Sequence, residues 1–159
     1  MSDTNLPHAL NSYHHSMKKV TIENYRTDKF YLRIVKATAE LLTDQGYVAP
    51  VRLFKKMELL TEQDIAAWRR GRLPYLEQAI RCNLAQASRI LRILRFHAHD
   101  LNLKPSNTVY LSKQPDNRIP LKFTKYGDKK LEEAYTTHLV SPRLKAAEQP
   151  AETIGVTKE

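Results

Sequence analysis

From about Thr27 to His99 the apolar residues return every three or four positions. That period commits the stretch to amphipathic helices. The breaks in it set how many. Thr27 suits the cap of a first helix, about Thr27–Gln45, with Asp28 at the positive end of its dipole and Gly46 just past its end. Phe30, Ile34, Thr38 and Leu41 form its inner stripe, with Tyr31, Val35 and Leu42 beside it. Pro50 opens a second helix, to about Glu58, which buries Val51, Phe54 and Met57. Thr61, with Asp64 three residues on, starts a third that turns Ile65 and Trp68 inward and ends at Gly71. Pro74 opens the longest, about Pro74–His99, with Leu76, Ile80, Leu84, Ala87, Leu91 and Leu94 in one stripe.

Past Lys104 and Pro105 the pattern changes. Thr108–Leu111 and Ile119–Thr124 are short β-prone runs, and the residues between them, 113–117, have a turn composition. They predict a β-hairpin near 108–124. Gly127 and Asp128 end it, and Lys129–Leu139 reads as a closing helix. The expected fold is mainly α: about five helices with a helix-turn-helix-like core, plus one basic β-hairpin, in a single domain over 20–140. Residues 1–19 read as a flexible lead. Residues 141–159 have the composition of a disordered tail.

At 159 residues the chain is long enough for one such domain. It has no apolar run near the roughly 20 residues of a membrane span and no secretory leader pattern. Its one cysteine, Cys82, makes neither an internal disulfide nor a thiolate metal cluster. These features predict a cytoplasmic protein away from membranes. Lys and Arg number 26 against 17 Asp and Glu, a net charge of +9. The tail's three basic and three acidic residues cancel, so the excess lies in the body. Such a balance favours polyanionic partners, nucleic acid first among them.

The segment from Leu53 to Pro74 narrows this further. Two short amphipathic helices flank Leu59, Leu60 and Thr61; Ile65 follows Thr61 by four, Trp68 follows by three more, and Gly71 closes the second helix. This spacing resembles the helix-turn-helix of phage repressor and Cro proteins. There the inner positions lock the second helix and leave its N-terminal side chains to enter the major groove of duplex DNA. The resemblance puts Glu62, Gln63 and Asp64 at the base edges, with Gln63 the best reader. The chain departs from the pattern twice. The turn carries Glu58 and Leu59 where the family has glycine, and the reading turn carries two carboxylates. A pair of ordinary packed, capped helices has the same spacing. The phrases WRRGRLPYLE (68–77) and FHAHDLNL (96–103) give the whole chain a similarity to small bacterial proteins of unassigned function. It implies a bacterial source and no particular site.

Between Ile65 and Ala98 stand seven arginines, no lysine and one acid, Glu77. Arg69, Arg70 and Arg72 end the third helix. On a continuous long helix, Arg81, Arg92 and Arg95 fall within about 60° of one another, opposite much of the apolar stripe. Arginine suits bidentate contacts to phosphate, although a solvated charged face has the same composition. From Lys104 to Lys130 there are seven basic residues and two acids. Lys122 and Lys125 alternate with core-type Phe123 and with Tyr126. The expected nucleic-acid-binding set is therefore Gln63, Arg69, Arg70, Arg72, Arg81, Arg92, Arg95, Lys122 and Lys125. DNA is favoured over RNA.

Little in the sequence points to chemistry. His97 and His99 lie two apart and diverge on a helix, Ser88 has no base nearby in sequence, and no glycine-rich phosphate loop occurs. No catalytic residue, metal or cofactor is expected. Two other functions stay open. One is a protein-interaction module or homodimer using Ile93 and Phe96, which lie off the main apolar stripe. The other is a small nucleic-acid-processing enzyme.

Overall fold

The computed structural model describes residues 19–113 and 118–142. The flexible lead and disordered tail expected at the two ends therefore lie outside the described residues, except for Lys19, Ser141 and Pro142. Most of the expected turn at 113–117 does too. The fold is mainly α, with a small antiparallel sheet. Five α-helices occur among the described residues: α1 (Tyr31–Gln45), α2 (Pro50–Lys56), α3 (Glu62–Arg69), α4 (Leu84–Asp100) and α5 (Lys129–Thr136). The strands are β1 (Tyr47–Val48), β2 (Lys104–Asn107) and β3 (Thr137–Val140), in the order β1-β3-β2. Leu139 of central β3 stands between Val48 and Pro105. Pro105 fits an edge strand, where a missing N–H costs no ladder bond.

The apolar stripes of the first three helices pack as their spacing predicts. Phe30, Ile34, Thr38 and Leu41, then Val51, Phe54 and Met57, then Ile65 and Trp68 are all buried. Gly46 closes α1 at φ +80°. The start of α1 is later than expected. Thr27 turns its hydroxyl back to the Asn24 carbonyl, at 2.8 Å, and Asp28 becomes the turn residue, accepting the Phe30 N–H at 2.9 Å.

The long helix expected from Pro74 is broken. The N–H groups of Leu76 and Glu77 donate to the carbonyls of Lys122 and Phe123, at 3.1 and 2.9 Å, so this segment serves a neighbouring strand-like arm and not its own helix. It forms one 3-10 turn, Leu76–Gln78. The Arg81 N–H donates to the Leu59 carbonyl at 2.9 Å. Helix α4 then starts afresh at an Asn83–Gln86 capping box, each side chain accepting the other's main-chain N–H, at 2.8 and 3.1 Å. Such a cap contributes about 1 kcal/mol. Arg81 and Cys82 therefore precede the helix, and Leu84, expected in the stripe, is 64% exposed.

Among the described residues the hairpin is reduced to one bridge, Leu111 to Pro120. It is flanked by Ser112 N–H to Ile119 carbonyl at 2.9 Å and Leu121 N–H to Tyr110 carbonyl at 2.8 Å. Farther along, the second arm leaves the first for α5: the Phe123 and Thr124 N–H groups and the Thr124 hydroxyl all donate to the Glu132 carboxylate, at 2.7–3.1 Å. The closing helix is shorter than expected. The hydroxyls of Thr136 and Thr137 bond back to the Glu132 and Glu133 carbonyls, and 137–140 continue as β3. Around this junction lies an aromatic core. Trp68, Tyr110, Phe123 and Tyr135 pack in tilted, edge-on and stacked pairs at centroid distances of 4.9–5.6 Å. Each such pair adds about 0.5–1.5 kcal/mol beyond area burial.

Candidate nucleic-acid interface

Helices α2 and α3 are joined by residues 57–61. The Leu59 N–H reaches the Phe54 carbonyl and the Glu58 N–H the Lys55 carbonyl, both at 2.9 Å. These are the two bonds of a Schellman closure. Glu58 sits at its left-handed position with φ +65°. The residue that departs from the glycine of the repressor pattern thus takes the backbone conformation that glycine serves there. Thr61 caps α3, its hydroxyl oxygen accepting the Asp64 N–H at 3.0 Å.

The two acids of that first turn are met from within the protein. Glu62 pairs with Arg52 at 2.8 Å and with Lys55 at 3.9 Å. Asp64 pairs with Arg81 at 3.5 Å. Gln63 stays exposed between them. Arg81 is thus a partner of α3 and shares no helix strip with Arg92 and Arg95. The expected strip fails because Asn83 restarts the helix after Arg81.

At its other end α3 runs into the hairpin. The Arg69 carbonyl accepts the Lys113 N–H at 2.8 Å, and the Arg69 guanidinium lies over the Tyr110 ring, 5.2 Å from its centroid. Trp68 is fully buried and its Nε1 donates to the Lys122 carbonyl at 2.8 Å. A second Schellman closure follows, with Gly71 at φ +79°, Gly71 N–H to Trp68 carbonyl and Arg72 N–H to Ala67 carbonyl. It leaves Arg70 and Arg72 exposed. The bonds to 113 and 122 bring the main chain of the exposed Lys113 and Lys122 to this end of α3, and Lys125, also exposed, follows Lys122. The Lys122 Nζ donates to the Lys125 carbonyl at 3.2 Å, and the Lys125 Nζ lies 5.3 Å from the centroid of Tyr126. No acid occurs in 65–76, 104–113 or 118–127. Among the described residues no ion pair reaches Arg72, Lys113, Lys122 or Lys125. Asp116 lies outside the described residues.

Arg92 and Arg95 belong to another setting. The Arg92 Nε donates to the Val20 carbonyl at 2.7 Å and its guanidinium covers Phe96 at 5.3 Å. Both arginines line a groove between α4 and α5. Of Ile93 and Phe96, expected as a partner face, Ile93 is fully buried and Phe96 is half-buried, packed on the core and on Tyr25 at 5.3 Å. The turn of α4 that carries them faces Tyr25 and the first helix, which takes Ile93 out of solvent. His97 is buried and set edge-on to Tyr31; burial, and then the charge of Arg26, push its pKa down. Among the described residues no group of three His, Cys, Asp or Glu side chains is arranged to hold a metal ion, and no helix is long and apolar enough to cross a membrane.

No protein-family model matches the chain, no curated protein is similar to it, and no solved structure matches its fold.

Two contacts central to this region carry no signal in the sequence. The Glu132 clamp on residues 123 and 124 joins two elements that local patterns describe separately. The buried carboxylate of Glu77, which accepts the Tyr135 hydroxyl bond at 2.7 Å, lies 58 residues from its partner.

Proposed function

We propose that the protein is a non-enzymatic nucleic-acid-binding protein of the cytoplasm that holds duplex DNA through its helix-turn-helix-like segment and the adjoining hairpin. The observation that carries this is the hydrogen-bonded junction of Arg69 with Lys113. It joins the end of α3, with exposed Arg70 and Arg72, to the hairpin that carries exposed Lys113, Lys122 and Lys125, and no acid occurs in those described stretches. Like charges held together in this way favour a polyanion laid across them. Gln63 is the base reader in this reading, and the internal pairs of Glu62 and Asp64 reduce their repulsion of phosphate. Arg69 and Arg81 act as supports, and Arg92 and Arg95 fall outside the footprint.

A second reading, single-stranded RNA, has one observation behind it. Tyr126 is 86% exposed beside Lys125, which suits stacking on an unpaired base. Fluorescence anisotropy with labelled duplex DNA and single-stranded RNA, across a salt series, tests both. Phosphate contacts by Arg70, Arg72, Lys113, Lys122 and Lys125 give a log–log salt slope of about −4.5 on duplex. The triple variant Arg70→Glu, Arg72→Glu, Lys122→Glu changes only exposed side chains, and is expected to lose about a hundredfold or more in affinity. Unchanged binding in that variant overturns the reading. Tighter binding to RNA, lost on Tyr126→Ala, selects the second.

A further inference from the structure

Helices α4 and α5 do not close on each other fully. Between them and the start of β3 lies a groove of about 630 Å³, within the range of sites that hold small organic ligands. Its floor is apolar: Leu91, Leu94 and Leu139 are buried beneath it, and Leu131 and Ala134 are half-buried at its sides. Its rim is cationic. Arg92, Arg95 and Lys130 face one carboxylate, Glu133. Arg92 is held in place from behind, by its Nε bond to the Val20 carbonyl and its contact with Phe96. Arg95 and Lys130 are exposed and have no ion-pair partner among the described residues.

Size selects the class of occupant. The α4 wall runs from Ser88 to Arg95, two helical turns or about 10 Å. A helical peptide's i to i+7 anchors span the same length, but two turns of a helix about 10–12 Å across occupy about 1000 Å³, more than the groove's 630 Å³. The groove suits a molecule of one head and one short body. The cations call for an anionic head, and the leucine floor for an acyl or aryl body.

We propose that the α4–α5 groove binds a small amphipathic carboxylate, its head held by Arg92, Arg95 and Lys130 and its apolar body on Leu91, Leu94 and Leu131. This site is separate from the hairpin junction and does not depend on the nucleic-acid reading.

The test uses the full chain with 8-anilinonaphthalene-1-sulfonate, an anionic head on an aryl body, as fluorescent probe, and decanoate and decanol as competitors. Saturable one-to-one binding is expected, displaced about tenfold more effectively by decanoate than by decanol. The double variant Arg95→Glu, Lys130→Glu changes only exposed side chains and is expected to weaken the probe about tenfold or more with an unchanged circular dichroism spectrum. Ala134→Phe, which fills the groove without altering charge, is expected to block both probe and decanoate. Equal displacement by decanol, or probe binding that survives both variants, overturns the proposal.

Discussion

The main-chain N–H of Lys113 donates to the carbonyl of Arg69 at 2.8 Å, so the last residue of α3 is fixed to the first arm of the hairpin. The Arg69 side chain follows its backbone inward, over Tyr110. Three residues on, Arg72 is exposed to solvent. The two arginines should therefore separate by experiment. Arg69→Ala is expected to cost about 1–2 kcal/mol in urea denaturation, through the lost stack and stem packing. Arg72→Ala should stay within about 0.5 kcal/mol of the native protein, yet weaken duplex binding in the anisotropy assay. Equal stability of the two variants removes the structural role given to Arg69.

Glu58 tests the turn between α2 and α3. It holds φ +65° at the left-handed position of a Schellman closure, where a side chain crowds the backbone. Glycine relieves that crowding but adds entropy to the unfolded chain, so the net gain is modest. Glu58→Gly is expected to raise unfolding free energy by about 0.5 kcal/mol. Glu58→Val, with a branched Cβ, should lower it by about 1–2 kcal/mol. Denaturant midpoints of the two variants check the ordering, and a Gly variant less stable than the native protein contradicts it.

Several caps and closures are local and were legible in the sequence, but the Asn83–Gln86 box that restarts α4 and the start of α1 beyond Thr27 are equally local and were not. The legible ones, Thr61 with Asp64, Gly46 and Gly71, act within a few residues of themselves. Legibility also failed where a distant partner competed for the backbone. Leu76 and Glu77 carry a helical stripe, but their N–H groups meet carbonyls 46 residues away, and the arginine strip that relied on a continuous helix failed with it. Strand β3 was read as the end of a helix for the same reason: its partners, Tyr47–Val48 and Lys104–Asn107, are set by tertiary approach. In the candidate interface, the cations were readable as residue types. Their grouping depended on contacts that no spacing reports. Trp68 to Lys122 spans 54 residues, and this bond ties Lys122 to α3, whereas Arg92 and Arg95 line another groove.

Asp28 and Arg89 form an ion pair whose side chains are 3% and 18% exposed. Asp28 also accepts the Phe30 N–H that turns the chain into α1. Removing only the acid leaves a guanidinium in a poorly hydrated place. Asp28→Ala is expected to cost about 3–5 kcal/mol. Asp28→Ala combined with Arg89→Met should recover part of that loss, because no charge is then left behind. Urea denaturation of both variants gives the comparison. A double variant no more stable than Asp28→Ala shows that the turn bond to Phe30, and not the ion pair, sets the cost.

Glu77 gives the protein a pH dependence of defined sign. Burial lifts its carboxyl above the ordinary 4.5, the hydrogen bond from Tyr135 pulls the other way, and the charges of Glu132 and Asp128 lift it further. The folded state therefore keeps this proton to higher pH than the unfolded chain does. Between the ordinary value and the raised one the folded state binds more protons, so unfolding free energy falls as pH rises. The contribution is complete below 4.5 and is lost as pH passes the raised value. Glu77→Gln keeps an oxygen for the Tyr135 hydroxyl and cannot ionise. The unfolding free energy of the variant minus that of the native protein should therefore increase as pH is raised from 4.5 through neutrality. His97, whose pKa is pushed down, acts in the opposite sense, but both proteins carry it and it cancels in the difference. A difference that stays flat across this range means that Glu77 ionises alike in the folded and unfolded chains, and that its burial beside Tyr135 exerts no pull on its proton.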